Sequence, residues 1–413
     1  MQTKNRSLLI FILGLLTAIG PFSIDMYLPG FPDIAKSLET TVSHVSLSLS
    51  SFFIGISAGQ FLYGPLLDRY GRKKPLHIGL LIYLLASVGC AFAASANMLI
   101  VLRLLQALGG CVGMVASRAM VRDLFPVKDN AKIFSLLMLV VAISPIIAPT
   151  LGGYLAAVLG WQSIFVVLSV MGLGILILAY KFLPESRQPD STYSLKPKPI
   201  LQKFAAVIKE PQFYTYAFTG ACASSGMYAY IAGSPYVFME LFKVSEKQYG
   251  WIFALIAMGL IGASQLNSVL LRTFKSEQVI KVALLCQSIT GLVLFAGTYF
   301  HFLELFSTIF FIFIFLCCQG FTFPNSSALS LAPFGHLAGS ASALLGGIQM
   351  SIGAFSSAMV SVLNNHTALP MTGIMACCSL TSFSILMIGS RIIKYRASIA
   401  EVEEQSVDAI GTS

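Results

Sequence analysis

Residues 64–74 read Gly-Pro-Leu-Leu-Asp-Arg-Tyr-Gly-Arg-Lys-Lys and lie between two long apolar runs. Because glycine permits sharp changes of chain direction, the stretch predicts a short turn between two helices. Asp68 lies one helical turn from Arg72 and can accept hydrogen bonds from it or cap a neighbouring helix. A plain basic turn would explain the cations but not the framework of two glycines and an acid. The stretch therefore indicates a defined turn at the surface of a helical bundle.

The composition shows what the helices of that bundle face. Of the 413 residues, 56% are hydrophobic and only 10% are charged, and the mean hydropathy is +0.81. Soluble domains carry about a quarter charged residues. Apolar surface on this scale must face lipid. The composition excludes a large soluble catalytic domain and favours membrane transport.

Twelve apolar runs separated by polar breaks predict an all-α membrane protein with twelve transmembrane helices, since each crossing needs about 20 apolar residues. We place them near residues 7–30, 44–66, 76–95, 98–118, 131–158, 162–183, 212–238, 248–271, 279–300, 304–325, 339–363 and 369–391. Residues 184–211 are rich in Pro, Ser, Lys, Gln and Glu, as linkers are. The predicted organisation is therefore a six-helix half (1–183), a linker (184–211), a second six-helix half (212–391) and a tail (392–413).

The positions of Lys and Arg predict the orientation of the bundle. With the amino terminus in the cytoplasm, 22 of the 26 basic residues fall on the cytoplasmic side, as the positive-inside rule requires. Both termini and the linker are therefore expected in the cytoplasm. The formal charge of +9 does not indicate nucleic-acid binding, because the basic residues lie between apolar runs and form no face with interleaved aromatics.

Two segments carry a resemblance to a known family. The turn at residues 64–74 resembles the signature loop of the major facilitator superfamily, and residues 24–29, Ile-Asp-Met-Tyr-Leu-Pro, resemble the first-span motif of its twelve-span drug/proton antiporters. The resemblance is to the bicyclomycin-resistance (Bcr/CflA) subfamily. It implies the major facilitator fold and efflux of small compounds in exchange for protons.

Two further segments extend the resemblance. Leu99, Arg103 and Gln106 resemble the fourth-span motif of the superfamily, with Ala107 where glycine is usual. Residues 144–153 resemble the fifth-span antiporter motif, with Ser144 and Ala148 in place of its first two glycines. The helix-breaking residues of that segment serve either a rocking motion or a tight helix contact. They are Pro145, Pro149, Gly152 and Gly153.

Charges inside the predicted spans are the candidates for energy coupling. A charged residue at the centre of a bilayer costs about 2.5–3.5 kcal/mol on insertion scales and usually faces a cavity. Asp25 and Arg103 lie at matching depths near the outer surface, so the guanidinium could hold Asp25 ionised if their helices are neighbours, as the resemblance implies. The alternative is two interfacial charges that reach water or headgroups. Gln106 is expected to line the cavity with them.

A cytoplasmic gate is expected at the turn. The resemblance places the turn beside the end of the fourth span, and we predict that Asp68, Arg72 and Asp123 form a charge cluster that holds the two halves together when the cavity faces outward. Gly64 and Gly71 would give the backbone room to turn. The alternative is that these charges merely fix the topology.

The energy source is expected to be the proton gradient, with no cofactor. The sequence has no Gly-x-x-x-x-Gly-Lys-Ser/Thr phosphate loop, and its histidines have no metal-ligand spacing. We therefore predict no enzyme activity, no metal and no catalytic residues. Polar residues of the second half are individually interpreted as structural; they are Tyr228, Tyr230, Gln265, Asn267, Gln319, Asn325 and Gln349.

The predicted function is proton-coupled efflux of small apolar or amphipathic compounds across a bacterial inner membrane by a monomer. Its expected partners are a small-molecule substrate, protons and the lipid bilayer. Because fold does not fix substrate, a metabolite exporter or an uptake symporter is the main alternative. A transport-inactive sensor or scaffold is a weaker one, since the sequence shows no enlarged soluble domain.

Overall fold

A computed structural model describes residues 3–190, 197–334 and 338–411 of the chain. All regular structure in these ranges is helical. The elements of the first part are α1 (Thr3–Asp25), a 3-10 turn (Leu28–Gly30), α2 (Phe31–Ser37), α3 (Val42–Tyr70), α4 (Lys73–Ala91), α5 (Ala96–Leu124), α6 (Val127–Leu159) and α7 (Gln162–Phe182). Those of the second part are α8 (Pro197–Ile208), α9 (Pro211–Pro235), a π-helical turn (Tyr236–Leu241), α10 (Glu246–Leu270), α11 (Ser276–Tyr299), α12 (Leu305–Leu331), α13 (Ala338–Val362) and α14 (Leu369–Gly411).

Twelve of these helices are long, and they follow the twelve predicted spans. Eleven of the spans are long and apolar enough to cross a membrane. The exception is α9, whose sequence is rich in Gly, Ser, Thr and Tyr and whose side chains are mostly buried. The twelve-helix prediction is therefore confirmed, and α9 needs less apolar surface because other helices cover it.

The helix ends follow local signals in the sequence. Thr41, Ser95 and Ser245 cap α3, α5 and α10 through their side-chain oxygens, which accept backbone N–H groups. Gly71 ends α3 with φ of +79°, and Gly160 ends α6 with φ of +80°, a conformation that glycine adopts without a steric penalty.

Several helices run beyond the predicted spans. α5 continues to Leu124, so that Arg118, Arg122 and Asp123 belong to the helix. α14 continues through the predicted tail to Gly411. The apolar runs mark only the hydrocarbon core, whereas the helices extend into polar sequence that is also compatible with helix.

The predicted linker also contains a helix. α8 covers residues 197–208, and its Val207 is buried while Phe204 packs against Phe61 of α3 with ring centroids 5.8 Å apart. Residues 191–196 of this linker lie outside the described residues, as do 412–413 of the tail.

The two ends of the bundle differ. We call the end at the Gly71 turn the basic end and the opposite end, where α1 finishes, the Asp25 end. At the Asp25 end one apolar cluster draws side chains from both halves, including Tyr27, Phe31, Phe238 and Met371. Along the bundle α3 packs against α13 and α6 against α10. These two helix pairs are the main contacts between the halves.

Candidate functional site

Arg103 is the centre of a buried polar network in the first half. Its side chain is fully buried, and its Nη1 donates to Gln106 Oε1 at 2.6 Å while Nη2 donates to the Ser23 carbonyl at 2.8 Å. Gln106 Nε2 donates in turn to Ser87 Oγ at 2.7 Å, and Ser23 Oγ shares a 2.8 Å hydrogen bond with Tyr83 OH. The network thus joins α1, α4 and α5 through one cation and neutral partners.

Aromatic rings complete the surroundings of the guanidinium. Arg103 Cζ lies 4.1 Å from the ring centroid of Phe52, 4.6 Å from that of Tyr27 and 5.9 Å from that of Phe165. Ring faces attract cations, and the attraction strengthens when water is absent. Arg103 Nε has no hydrogen-bond partner among the described residues. The site therefore keeps a positive charge that no carboxylate of those residues compensates, and the Nε–H donor of Arg103 is unused.

Asp25 is buried nearby but does not pair with Arg103, so the expected ion pair is not formed in this structure. Asp25 is the last residue of α1 and is 5% exposed. No hydrogen bond or ion pair between described residues reaches its carboxylate. Ser23, which does bind the guanidinium, is two residues away and therefore on a different face of the helix. The Asp25 side chain lies instead within electrostatic range of Tyr228, Tyr230 and Tyr249 in the second half.

Gln106 does not line a cavity with Asp25 and Arg103 in this structure, contrary to the prediction from the sequence. Its side chain is fully buried, and both of its polar atoms are used by Arg103 and Ser87. It is a positioning residue inside the first half and does not line a cavity between the halves.

The predicted charge cluster at the turn is formed. Arg72 Nη1 lies 2.8 Å from Asp68 Oδ1, and Arg72 Nε lies 2.8 Å from Asp123 Oδ2. The Arg72 side chain is 5% exposed. Burial opposes its charge, but the hydrogen bonds and negative charges of Asp123 and Asp68 outweigh burial and raise the pKa of Arg72 above its ordinary value. Arg72 is therefore a permanent cation that joins α3 to α5.

The cluster also includes residues that sequence reasoning missed. Arg187 Nη1 lies 3.1 Å from Asp68 Oδ1, and Ser186 Oγ donates to Asp123 Oδ2 at 3.0 Å. Glu185 accepts the backbone N–H groups of Arg72 at 2.6 Å and Lys73 at 3.0 Å, which caps α4 with a carboxylate where the helix dipole favours one. The only signal in the sequence was an acid placed directly after the last apolar run of the first half. We call Asp68, Arg72, Asp123, Glu185, Ser186 and Arg187 the turn cluster.

In this structure, where the two halves pack together at the Asp25 end, the turn cluster joins elements of the first half; its expected role when the cavity faces outward stays a prediction. Every partner that the described residues give to Asp68, Arg72 and Asp123 lies in the first half or in the segment just after α7. The reason is geometric: Arg72 points back across its own turn toward α5, and residues 185–187 cover the remaining side.

The two glycines of the turn have different roles. Gly71 occupies the turn itself with φ of +79°, and a Cβ there would lie 2.9 Å from Glu185 Oε2. Gly64 lies inside α3, with open space where a Cβ would be. The expectation that Gly64 gives the turn its room is therefore wrong, because α3 continues through the glycine to Tyr70.

Pro145 and Pro149 lie within α6, which remains one helix through both. A proline at position 145 leaves the Val141 carbonyl without its usual backbone donor. Ser144 Oγ donates to that carbonyl at 3.0 Å. Ser144, where the antiporter motif has glycine, thus replaces a hydrogen bond that Pro145 removes.

Gly152 and Gly153 allow α6 to approach its neighbours closely. A Cβ on Gly152 would collide with the Met26 carbonyl, and a Cβ on Gly153 would lie 2.6 Å from the carbonyl oxygen of Glu246. On the other side of this contact, a Cβ on Gly250 would lie 2.9 Å from the Pro149 carbonyl. The two helices from different halves therefore touch backbone to backbone at the Asp25 end.

The second half has buried polar contacts of its own between neutral amide and hydroxyl side chains. Gln319 Nε2 donates to Ser224 Oγ at 2.6 Å, and Gln287 Nε2 lies 3.5 Å from Gln319 Oε1. Asn325 Nδ2 donates to Asn267 Oδ1 at 2.7 Å. These residues join helices within their half, which agrees with their interpretation as structural. Among the residues that the structure describes, no group of His, Cys, Asp and Glu could hold a metal ion.

Comparison with known proteins identifies the relatives of this chain. Residues 13–358 match the sequence profile of the Major Facilitator Superfamily. An uncharacterized MFS-type transporter, YdgK of Bacillus subtilis, is 34% identical over 90% of this chain and 92% of its own length. A bicyclomycin resistance protein homolog of Haemophilus influenzae is 29% identical over 96% of this chain and 99% of its own length. The resemblance to the bicyclomycin-resistance subfamily is thereby confirmed.

A solved structure shares the fold. The bacterial homologue of the human lysosomal transporter Spinster, in an inward-facing and occupied conformation, superposes with a TM-score of 0.75 at 14% sequence identity. The match covers 95% of this chain and 98% of that one. At this identity the likeness concerns the fold alone.

Proposed function

Since the chain belongs to the Major Facilitator Superfamily and is therefore a multi-pass membrane transporter and not an enzyme, we propose that it exports small amphipathic compounds in exchange for protons. The Haemophilus relative, named for bicyclomycin resistance, supports drug efflux as the direction and substrate class. No cofactor is needed, because the proton gradient supplies the energy.

We place the basic end of the bundle in the cytoplasm and the Asp25 end outside. The excess of Lys and Arg in the connections at the basic end supports this orientation. Both termini and the linker then lie in the cytoplasm. Residues 1–183 and 212–391 are the two halves that would move relative to each other as a monomer.

The observation that carries the proposal is the position of Asp25. Its carboxylate is buried where the two halves meet, with no ion partner among the described residues and with second-half tyrosines within electrostatic range. Burying a charged carboxylate in an apolar cluster costs several kcal/mol, whereas the protonated acid costs far less. A movement of the halves that opens the Asp25 end to water would therefore be linked to proton binding at this side chain.

Arg103 would set the electrostatics of the same region. It lies inside the first half, fixed by Ser23, Gln106 and three rings, and needs no carboxylate to hold it in place. Its positive charge remains when Asp25 gains or loses a proton. In this proposal Asp25 carries the proton, Arg103 provides a fixed charge, and the turn cluster keeps α3, α4 and α5 together while the halves move.

The experiment uses inverted membrane vesicles energised by respiration and a panel of amphipathic antibiotics that includes bicyclomycin. A substrate should release protons from the vesicle lumen as it is taken up, read by a pH-sensitive dye. Asp25→Asn should abolish this exchange while the protein remains inserted. Glu39→Gln, which alters an exposed acid at the same end, is the matched control and should exchange normally.

Normal concentrative transport with an unchanged pH dependence in Asp25→Asn would remove Asp25 from the coupling. Uptake of substrate together with protons, instead of exchange, would favour a symporter on the same fold.

A further inference from the structure

A second arginine lies inside the bundle and takes no part in the network around Arg103. Arg118 is six residues from the end of α5, which places it about 9 Å below the basic end of that helix. The predicted span ends at residue 118, whereas α5 continues six residues beyond it, so Arg118 lies within the helix and not in the turn that follows.

The direction of the side chain follows from the helix period. Met98 and Leu105 are exposed apolar residues of α5 and mark its lipid-facing side. Arg118 is rotated from them by about 200° and 220°, at about 100° per residue. It therefore points away from lipid and toward the interior of the bundle.

The surroundings of Arg118 are those of a concave space. The side chain is exposed, yet protein atoms surround it densely enough to desolvate its charge. One and two turns earlier, Met114 and Cys111 line a narrow gap between α1, α3 and α5. Arg118 thus continues a face of α5 that already borders open space inside the bundle.

No acid neutralises this arginine. No hydrogen bond or ion pair between described residues uses its guanidinium, and the charged group that acts on it is another cation, Arg122. Asp123, the acid closest in sequence, is bound by Arg72 and Ser186. Arg122 follows one turn later and adds a second exposed cation on nearly the same face.

We propose that Arg118, supported by Arg122, binds the anionic group of substrate at the basic-end mouth of the transport path. The substrates it selects would be amphipathic organic anions, in which a carboxylate or sulfonate is attached to an apolar body. The planar guanidinium offers paired donors that match a carboxylate, and Met114 and Cys111, one and two turns away on the same face of α5, offer an apolar surface beside it. This inference rests on the proposed efflux function and narrows its substrate class.

The test compares two probes that differ only in charge. Dansylglycine carries a carboxylate, and dansylglycinamide replaces it with a neutral amide. Binding of each to the purified full-length protein is measured by fluorescence in lipid nanodiscs without any gradient, so the result does not depend on whether proton-coupled efflux is correct. Arg118→Gln removes the charge, Arg118→Lys keeps it without the fork, and Arg272→Gln removes an exposed cation of the α10–α11 turn as the matched control.

The wild type should bind the carboxylate about tenfold more tightly than the amide, the difference expected for one charge-assisted bidentate contact. Arg118→Gln should erase this preference and leave affinity for the amide unchanged. Arg118→Lys should keep part of it, and Arg272→Gln all of it. No detectable binding of dansylglycine to the wild type, or an equal loss of both probes in Arg118→Gln, would overturn the proposal.

A lipid headgroup could supply the same anionic chemistry. Nanodiscs with and without phosphatidylglycerol separate the two sources. If phosphatidylglycerol blocks the carboxylate probe in the wild type, and Arg118→Gln no longer senses that lipid, the arginine holds a headgroup and the substrate assignment is wrong.

Discussion

The two halves of the molecule bury polar side chains on corresponding helices but give them different charge. In the first half, the first, third and fourth long helices meet at Arg103, a cation with neutral partners. In the second half, the same three positions in the helix order are α9, α11 and α12, and they meet through Ser224, Gln287 and Gln319. Neutral amides are therefore sufficient to join helices in this architecture. The costly charge at Arg103 is retained for something that helix packing does not require.

The turns after the second long helix of each half differ in the same way. The first-half turn contains the buried turn cluster around Arg72. The second-half turn, residues 271–275, keeps basic character, but its side chains are exposed, and no ion pair among the described residues involves Arg272 or Lys275. The two halves share the same order of helices, whereas the buried charged side chains of these networks and turns lie in the first half.

The largest effect on transport is expected when the charge that distinguishes the halves is removed. Arg103→Ala should lower the transport rate by about a hundredfold or more, because it leaves the Ser23 carbonyl and Gln106 Oε1 without their donor and removes the buried cation of the first-half network. Arg103→Lys should retain a measurable part, since it keeps the charge but loses the planar fork. Gln319→Ala, at the neutral counterpart, should reduce transport only a few-fold. Initial rates in inverted vesicles, normalised to inserted protein, measure all three.

Equal activity of Arg103→Ala and Gln319→Ala would show that the charge is structural and that the two networks are equivalent. Equal activity of the Ala and Lys variants of Arg103 would point to a side chain that merely fills space.

The next largest effect, on the stability of the protein, is expected at the turns after the second long helix of each half. Arg72→Ala should destabilise the protein by about 3 kcal/mol or more, since it leaves Asp68 and Asp123 as partly buried carboxylates without their shared cation. Arg272→Ala should change stability by less than about 0.5 kcal/mol, as exposed substitutions usually do. Thermal unfolding in detergent, followed with a thiol-reactive dye that reaches buried Cys90 and Cys111 only on unfolding, should show a melting temperature several degrees lower for the first variant alone. Equal shifts would reduce the turn cluster to ordinary surface ion pairs.

Local signals account for what the sequence could predict. Apolar runs of spanning length mark the twelve helices, and the short separation of Asp68 and Arg72 in the chain lets those two pair across the Gly71 turn. Contacts between distant segments were beyond such signals. Glu185 caps α4 across more than a hundred residues. Asp25 lies within electrostatic range of second-half tyrosines and does not pair with Arg103, because the face that a terminal residue presents depends on how α1 is rotated against both halves. Hydropathy also left Arg118 at the edge of a predicted span, since it marks where apolar sequence stops and α5 continues beyond that point.

The smallest effect is expected where the halves touch. α6 and α10 meet backbone to backbone, so a methyl group on Gly153 would lie 2.6 Å from the Glu246 carbonyl and could be accommodated only by moving a helix. α13 meets α3 differently: a methyl group on Gly346 would encounter Gln60 Oε1, the end of a flexible side chain that can turn away. Gly153→Ala should therefore cost about 1–3 kcal/mol in overpacking and slow transport several-fold. Gly346→Ala should stay within about twofold of the wild type, since only the flexible end of the half-buried Gln60 side chain has to turn aside. Gly262→Ala, with open space at its Cβ position, serves as the control for substituting a helical glycine. If Gly346→Ala slows transport as much as Gly153→Ala, the α3–α13 contact is as rigid as the α6–α10 contact. The two halves would then move about both contacts equally, instead of turning about the glycine contact at the Asp25 end.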